Sequence, residues 1–331
     1  MLTNSLCSVS DAAKLIASGR ILFVGGEENL LRQLPSGTWI GATSANFMSA
    51  SGGVTDGDHI FVTDITDVAE KAEVRSYSAD ELRDIGSHYP ENGFTVLNIP
   101  GLSPLHQTFA CEVQTYPGVF NSPLYGWIAG VHVSDIGKRA PKTFAGDGAA
   151  QDNRAAALHV TLPEGKAAKI DIINLFGQGD GADVEFGAEG FEASGDCRID
   201  GKPTNFACYV AANGIDTRLP LVADYNGAMI NVSLREVDAS AGKASFYAPV
   251  FKGVKYKFAK PVPDYVQEFD KQLAAIGGDK VAFSCNCILN YLYAGLEGKR
   301  SGSVVGPITF GEIAYMLLNQ TLVYVSIEAI A

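Results

Sequence analysis

Apolar positions along the chain fall into three textures. Runs such as Ile21–Gly26 ("ILFVGG") and Val281–Asn286 ("VAFSCN") are apolar without alternation and lie next to glycine or a polar break. That pattern predicts strands covered on both faces, and hence helices packed on a sheet. Helical spacing appears in "AAKLIASG" after Ser10 and Asp11, where Ala12, Leu15 and Ile16 share a face and Gly19 ends it. Ser78 and Glu81 form a capping-box pair ahead of Leu82 and Ile85, and "SPLHQTFACEV" continues with a second helix. Pro263 and Asp264 open the clearest helix, with Gln267 completing the box, Tyr265, Phe269, Leu273 and Ile276 on one face, and Gly277 and Gly278 ending it.

The third texture lies between Ala155 and Val262. Short alternating runs, among them "ALHVTL", "KIDIINLF", "FACYVA" and "AMINVSL", are separated by turn residues, which predicts an antiparallel region of hairpins. In the same region "LFGQGDGADVEF" has the glycines of a dinucleotide loop. An alternating strand follows it instead of a helix, so it reads as a hairpin turn.

The two ends of the chain repeat one pattern: an apolar strand, a glycine, a small-residue turn and a second strand. At the start, Trp39 and Ile40 lead into Gly41, the loop "ATSANFMSASGG" follows, and His59 to Ile65 form the second strand. At the end, Val304 to Gly306 and Leu322 to Ile327 do the same. Phe23 precedes Gly41 by 18 residues and Phe283 precedes Gly306 by 23, while the glycine-to-strand spacings are 20 to Phe61 and 18 to Tyr324. Such matched spacing points to duplication. A middle unit, with "FTVLNIPG" and the strand pair "YGWIAGVHV" and "KTFAG", fits the pattern more loosely.

The expected fold is therefore mixed α/β, of α+β type: two related strand–turn–strand halves with flanking helices and a central antiparallel β-rich region. The segments are 1–154, 155–262 and 263–331. At 331 residues the chain is long enough for two domains or one large duplicated one.

Composition narrows the function classes. A formal charge of −12 repels phosphate backbones, and no basic block offsets it, so no nucleic-acid partner is expected. The most apolar segment, "IAYMLLNQTLVYVSIEAIA", is interrupted by Asn319, Gln320, Thr321, Ser326 and Glu328 well short of the ~20 residues a spanning helix needs. It reads as buried strand. No membrane partner is expected, and no signal peptide is visible because Asp11, Lys14 and Arg20 break up the N-terminal segment. Six cysteines in a chain of this length lack the density of a disulfide scaffold and read as reduced thiols; with no signal peptide or spanning segment visible, a cytoplasmic soluble protein is expected.

"VAFSCN", Gly306, then Phe310, Gly311, Glu312 and Ile313, ahead of Asn319 and Thr321, resemble the C-terminal part of the FIST family of sensory domains. "IGATSAN" at Ile40–Asn46 resembles its N-terminal turn, with Ala42 where the family has Cys. Cys287, Ile288 and Leu289 stand where an Arg often follows in that family, so the chain looks like a divergent, stand-alone member. The resemblance implies a ligand-binding role in signal transduction, with small polar ligands such as amino acids, a partner protein that reads the signal, and haem in some members.

The residues themselves suggest where such a ligand would sit. Glycine lets backbone approach a ligand or a neighbour where a side chain would block it. The loops after Gly41 and Gly306 would lie at strand carboxyl ends. Candidate ligand-binding residues are therefore Gly41, Thr43, Ser44, Asn46, Cys285, Asn286, Gly306, Thr309, Phe310, Gly311 and Glu312, with non-covalent capture between the halves. The competing reading of both glycines is a tight turn that closes the fold. A buried Glu312 needs a partner, either a ligand ammonium or the amides of its own turn.

Two other classes stay open: an enzyme using Cys285 or a carboxylate, and a ligand-free interaction scaffold. Cys285 is the candidate nucleophile, but no histidine is near it in sequence to lower its pKa. Cys285 and Cys287 form a lone C-x-C, too few ligands for a structural zinc, so no metal is expected. No cofactor is expected either. Haem would have only His106 and His132 of the middle unit as axial ligands.

Overall fold

The computed structural model describes residues 3–195, 197–276, 281–300 and 302–330. It is a mixed α/β protein built from five sheets and seven helices among the described residues. The first unit contains β1 (Thr3–Cys7), α1 (Val9–Ala17), β2 (Leu22–Gly26), α2 (Glu28–Leu31), β3 (Trp39–Thr43), β4 (Asn46–Ser49), β5 (Gly52–Thr55) and β6 (Ile60–Asp64). The second has β7 (Lys71–Tyr77), α3 (Ala79–Leu82), β8 (Gly93–Pro100), α4 (Pro104–Glu112), β9 (Leu124–Ala129), β10 (Thr143–Phe144) and β11 (Ala155–Thr161).

The third unit starts with β12 (Lys166–Ile173) and is then interrupted. The insert holds β13 (Val184–Phe186), β14 (Gly190–Ala193), β15 (Cys197–Ile199), β16 (Lys202–Thr204), α5 (Phe206–Ala212), β17 (Leu221–Tyr225), β18 (Ala228–Val232), β19 (Leu234–Asp238), β20 (Lys243–Val250) and β21 (Lys255–Phe258). The unit resumes with α6 (Tyr265–Ile276), β22 (Phe283–Cys287), α7 (Ile288–Tyr293), β23 (Gly306–Thr309), β24 (Glu312–Ala314), β25 (Met316–Leu318) and β26 (Leu322–Ala329).

The two ends share one strand order, and the middle unit has it as well. Sheets β1-β6-β2-β3, β7-β11-β8-β9 and β12-β26-β22-β23 each place the last strand between the first and second. In each, the second and third strands run parallel and the last runs antiparallel to the second. Each sheet is then extended by a strand from another unit. β10 of the second unit joins β3, β24 of the third joins β9, and β4 of the first joins β23, all antiparallel. The exchange is cyclic, so no unit completes its sheet alone.

This arrangement accounts for the continuous apolar strands. Their inner faces meet in a central core where Phe23, Phe94 and Phe283, near the start of the second strand of each unit, converge. The Phe283 ring lies 4.9 Å from Phe23 and 5.6 Å from Phe94 between centroids, within the range of favourable aromatic pairs. Outer faces are covered by helices: Ala12 and Ile16 of α1 pack with Leu22 and Val24, Leu105 and Phe109 of α4 with Leu97 and Ile99, and Phe269 and Leu273 of α6 with Leu322 and Tyr324.

Several local expectations are corrected. α1 begins at Val9, and its cap is Ser8, whose hydroxyl accepts from the Asp11 amide, instead of Ser10 or Asp11. The small-residue loop after Gly41 contains the β4–β5 hairpin. "KTFAG" supplies β10, which pairs with β3 and not with "YGWIAGVHV". "FACYVA" is helix α5, because Asn205 caps it by accepting from the Cys208 amide. "LFGQGDGADVEF" is no hairpin: it crosses from β12, paired with β26, to β13, paired with β15 and β21.

The β-rich region is smaller than 155–262, since β11 and β12 belong to the second and third units. The insert proper has a six-stranded sheet, β16-β15-β13-β21-β17-β18, a three-stranded sheet, β14-β20-β19, and its own core around Phe186, Phe206 and Phe246. Asp264 caps α6 by accepting from the Gln267 amide, as its position suggests. The expected end of α6 at Gly277 and Gly278 lies outside the described residues.

Candidate functional site

The loops expected to form a ligand site do meet, but as a closed seam. Ser44 Oγ donates to the Ile308 carbonyl at 2.7 Å, the Gly130 amide donates to the Thr43 carbonyl at 2.8 Å, and Asn46 Nδ2 donates to Thr55 Oγ1 at 2.8 Å. Gly41 lies inside β3, paired with Val24 and Phe144, and a Cβ there would sit 2.9 Å from Val24 Cγ2. At Gly306 a Cβ would sit 2.1 Å from the Ser284 carbonyl oxygen, and at Gly311 2.9 Å from Leu317 Cδ1. These glycines admit neighbouring strands, so the space was used for packing. A gap of about 10 Å3 beside Asn286 and Gly306 has room for one water at most.

Glu312 is fully buried at this seam. Thr321 Oγ1 donates to its carboxyl at 2.7 Å and Thr309 Oγ1 at 3.2 Å. Burial pushes its pKa up to about 8 even though these hydroxyl bonds act against the rise. At neutral pH it is an uncharged acid and offers no counter-charge to a ligand ammonium. Cys285 is equally buried, with Sγ 3.5 Å from the Gly126 carbonyl oxygen. Burial, and then the neighbouring Glu312, raise its pKa well above that of a free thiol, so it stays protonated and unreactive. Asn286 Oδ1 accepts from Asn290 Nδ2 at 2.9 Å.

Of the expected residues, Phe310 alone lines one open cleft. Gly130 makes room for it, since a Cβ there would fall 2.5 Å from the Phe310 ring. The cleft, of about 140 Å3, lies where α4, the β14-β20-β19 sheet of the insert and the start of α7 converge. Its walls are apolar, formed by Leu102, Phe191, Ile288, Leu289, Leu292 and Phe310. Polar side chains join them: His106, Gln107, Glu192, Arg235, Ser245, Tyr247 and Asn319.

His106 sits in the first turn of α4, where the Ser103 hydroxyl caps the helix by accepting from the His106 amide at 3.1 Å. Leu102 takes a left-handed φ of 60°, a costly conformation for a branched residue, and directs its N–H to His106 Nδ1 at 3.3 Å. Nδ1 is thus the acceptor and Nε2 carries the proton, and Nε2 has no partner. Burial lowers the His106 pKa to about 4, so the ring is neutral. Asn319 is held the same way: its Oδ1 accepts from the Ser233 amide at 3.0 Å and from Ser233 Oγ at 2.5 Å. That fixes the amide orientation and leaves Nδ2 buried without a partner.

Arg235 is exposed on the rim, where the β19–β20 register shifts between Leu234 and Glu236. Among the described residues its guanidinium makes no ion pair or hydrogen bond, and neither does the Glu192 carboxylate. A wider cleft of about 310 Å3 lies behind α7, but its charged pair, Arg218 and Asp216, is already joined at 2.7 Å. The smaller cleft therefore has the more open hydrogen-bonding capacity.

Sequence reasoning weighed His106 only as a haem ligand, placed Asn319 in a family motif and as a break in the last apolar segment, and passed over Arg235. His132 stands apart, its Nδ1 2.8 Å from Ser134 Oγ. The cue present in the sequence was Ser103 three residues before His106, which fixes the histidine on the first helical turn. Among the described residues no group of three or more His, Cys, Asp or Glu side chains could hold a metal ion, and no helix is long and apolar enough to cross a membrane.

The model of a family of unknown function, DUF6976, matches residues 7–328. No curated protein matches the chain.

Proposed function

We propose that this chain, which belongs to that family of unknown function over nearly its whole length, is a cytoplasmic sensory protein that captures a small molecule non-covalently. The resemblance to FIST domains and the free state of all six cysteines support this reading. The site is the cleft between α4, the insert and α7, and not the seam between the two ends. The observation that carries it is a pair of buried donors, His106 Nε2 and Asn319 Nδ2, left without partners at an apolar cleft. Buried polar atoms are almost always satisfied, and leaving one unpaired costs about 1–3 kcal/mol. A ligand that accepts from them recovers that cost.

The position suits a sensor, because an occupant touches the insert and two of the three units at once. A ligand that favours one seating of the insert shifts the population towards it, and a partner protein reads the difference. The test is differential scanning fluorimetry with a panel of small metabolites on the wild type and on Leu289→Trp, which fills the cleft. A ligand at about 100 times its Kd adds about 2.7 kcal/mol, enough to raise Tm by several degrees. The expected result is a stabilising compound whose effect disappears in Leu289→Trp. A panel without any shift, or a shift that persists in the filled variant, removes the reading.

A further inference from the structure

Resting on the reading of this cleft as a ligand site, we infer that its ligand is a small monocarboxylate: one anionic head on a compact apolar body. The two unsatisfied buried groups at the cleft both donate hydrogens, through His106 Nε2–H and Asn319 Nδ2. Arg235 on the rim adds a third donor group, and the only full positive charge among the described lining side chains. A carboxylate has the acceptor oxygens that donors of this kind lack, and its bonds to a guanidinium are about twice as strong as neutral ones. An amine offers no acceptor to His106 Nε2 or Asn319 Nδ2 and would meet the charge of Arg235, leaving only the rim carboxylate of Glu192 to receive it.

Charge and size narrow the class further. His106 is neutral, so the site provides one cation, against Glu192 on the same rim and a net charge of −12 on the chain. That balance opposes a doubly charged phosphate, and the case for a single carboxylate rests on the buried donors and the unpaired guanidinium. The cleft holds about 140 Å3, close to the ~150 Å3 of an apolar cavity that accepts benzene. A body of about six carbons fills it against Leu289, Leu292 and Phe310.

Isothermal titration calorimetry on the whole chain at pH 7.5, with phenylacetate, phenylacetamide and phenethylamine, tests this. Phenylacetate is expected to bind, phenylacetamide about tenfold or more weakly, and phenethylamine to give no heat. Arg235→Met, at an exposed position, is expected to weaken phenylacetate about tenfold or more and phenylacetamide by less, closing the gap between them without changing Tm. Equal affinity for acid and amide, an unchanged ratio in Arg235→Met, or no heat from any of the three overturns the inference. A metabolite shift that Leu289→Trp abolishes would still stand in that event, so this failure is distinguishable from failure of the ligand-site reading itself.

Discussion

Glu312 shows what a buried acid does to the pH dependence of the whole chain. The folded protein keeps its proton up to about pH 8, whereas a free carboxyl releases it near 4.5. Between those values the folded state binds more protons than the unfolded, so the contribution of Glu312 is complete below about pH 4.5 and is lost as pH rises to about 8. His106 and His159 act in the opposite sense. Burial lowers both from 6.5 to about 4, and for His159 the nearby His88 and Arg75 add to the effect. Their contribution is complete above about pH 6.5 and is lost as pH falls towards 4. Stability should therefore peak near pH 6.5 and decline towards pH 8, Glu312 by itself contributing a loss of roughly 2 kcal/mol at 1.36 kcal/mol per unit, partly offset by the two histidines. Glu312→Gln keeps one acceptor oxygen and, like the protonated acid, presents a donor on the other side towards Thr309 or Thr321, but it cannot ionise, so calorimetric Tm values should lose the decline between pH 6.5 and 8. A variant that declines like the wild type would contradict the assignment.

Among the elements, the joint between β22 and β23 is the most demanding. Gly306 opens β23, and any side chain there meets the Ser284 carbonyl of the parallel neighbour. Overpacking of this kind typically costs about 1–3 kcal/mol, and a backbone contact cannot be relieved by a rotamer change. Gly306→Ala should lower the urea unfolding free energy by at least that amount. Gly57, in an exposed turn with nothing within 4 Å of an added Cβ, is the control: Gly57→Ala should stay within roughly 0.5 kcal/mol. Equal effects at the two positions would mean that β23 can move away from β22. α5 offers a milder case at this scale. Its cap, Asn205, accepts from the Cys208 amide and donates to the Gly242 carbonyl at 2.8 Å. Removing it as Asn205→Ala should cost about 1 kcal/mol, with a matching drop in the urea midpoint.

For the molecule as a whole, cyclic strand exchange has a thermodynamic consequence. Because β4, β10 and β24 each complete the sheet of another unit, unfolding one unit removes an edge from a second and exposes the shared core around Phe23, Phe94 and Phe283. The amides of β2, β8 and β22 should therefore exchange hydrogen through one common opening, with equal free energies and the same dependence on denaturant. The insert, with its own core around Phe186, Phe206 and Phe246, is free to open at lower cost. Distinct opening energies for the three central strands would show that the exchange does not couple the units.

The sequence by itself determined the local elements, because periodicity, caps and glycine stops act within a few residues. It marked α4 and α6, the covered strands β2 and β22, the mixed α/β class and the common pattern at the two ends. It also marked Glu312 as a carboxyl needing a partner. Tertiary structure decided which strands pair, since β10 is two residues long and finds its place only against β3 of another unit. It turned Gly41 and Gly306 from turn residues into packing positions, because only a neighbouring strand shows how close backbone must come. It brought His106, Arg235 and Asn319 to one cleft from three distant segments. Their significance lies in unpaired hydrogens, and which hydrogens stay unpaired is known only once every neighbour is in place.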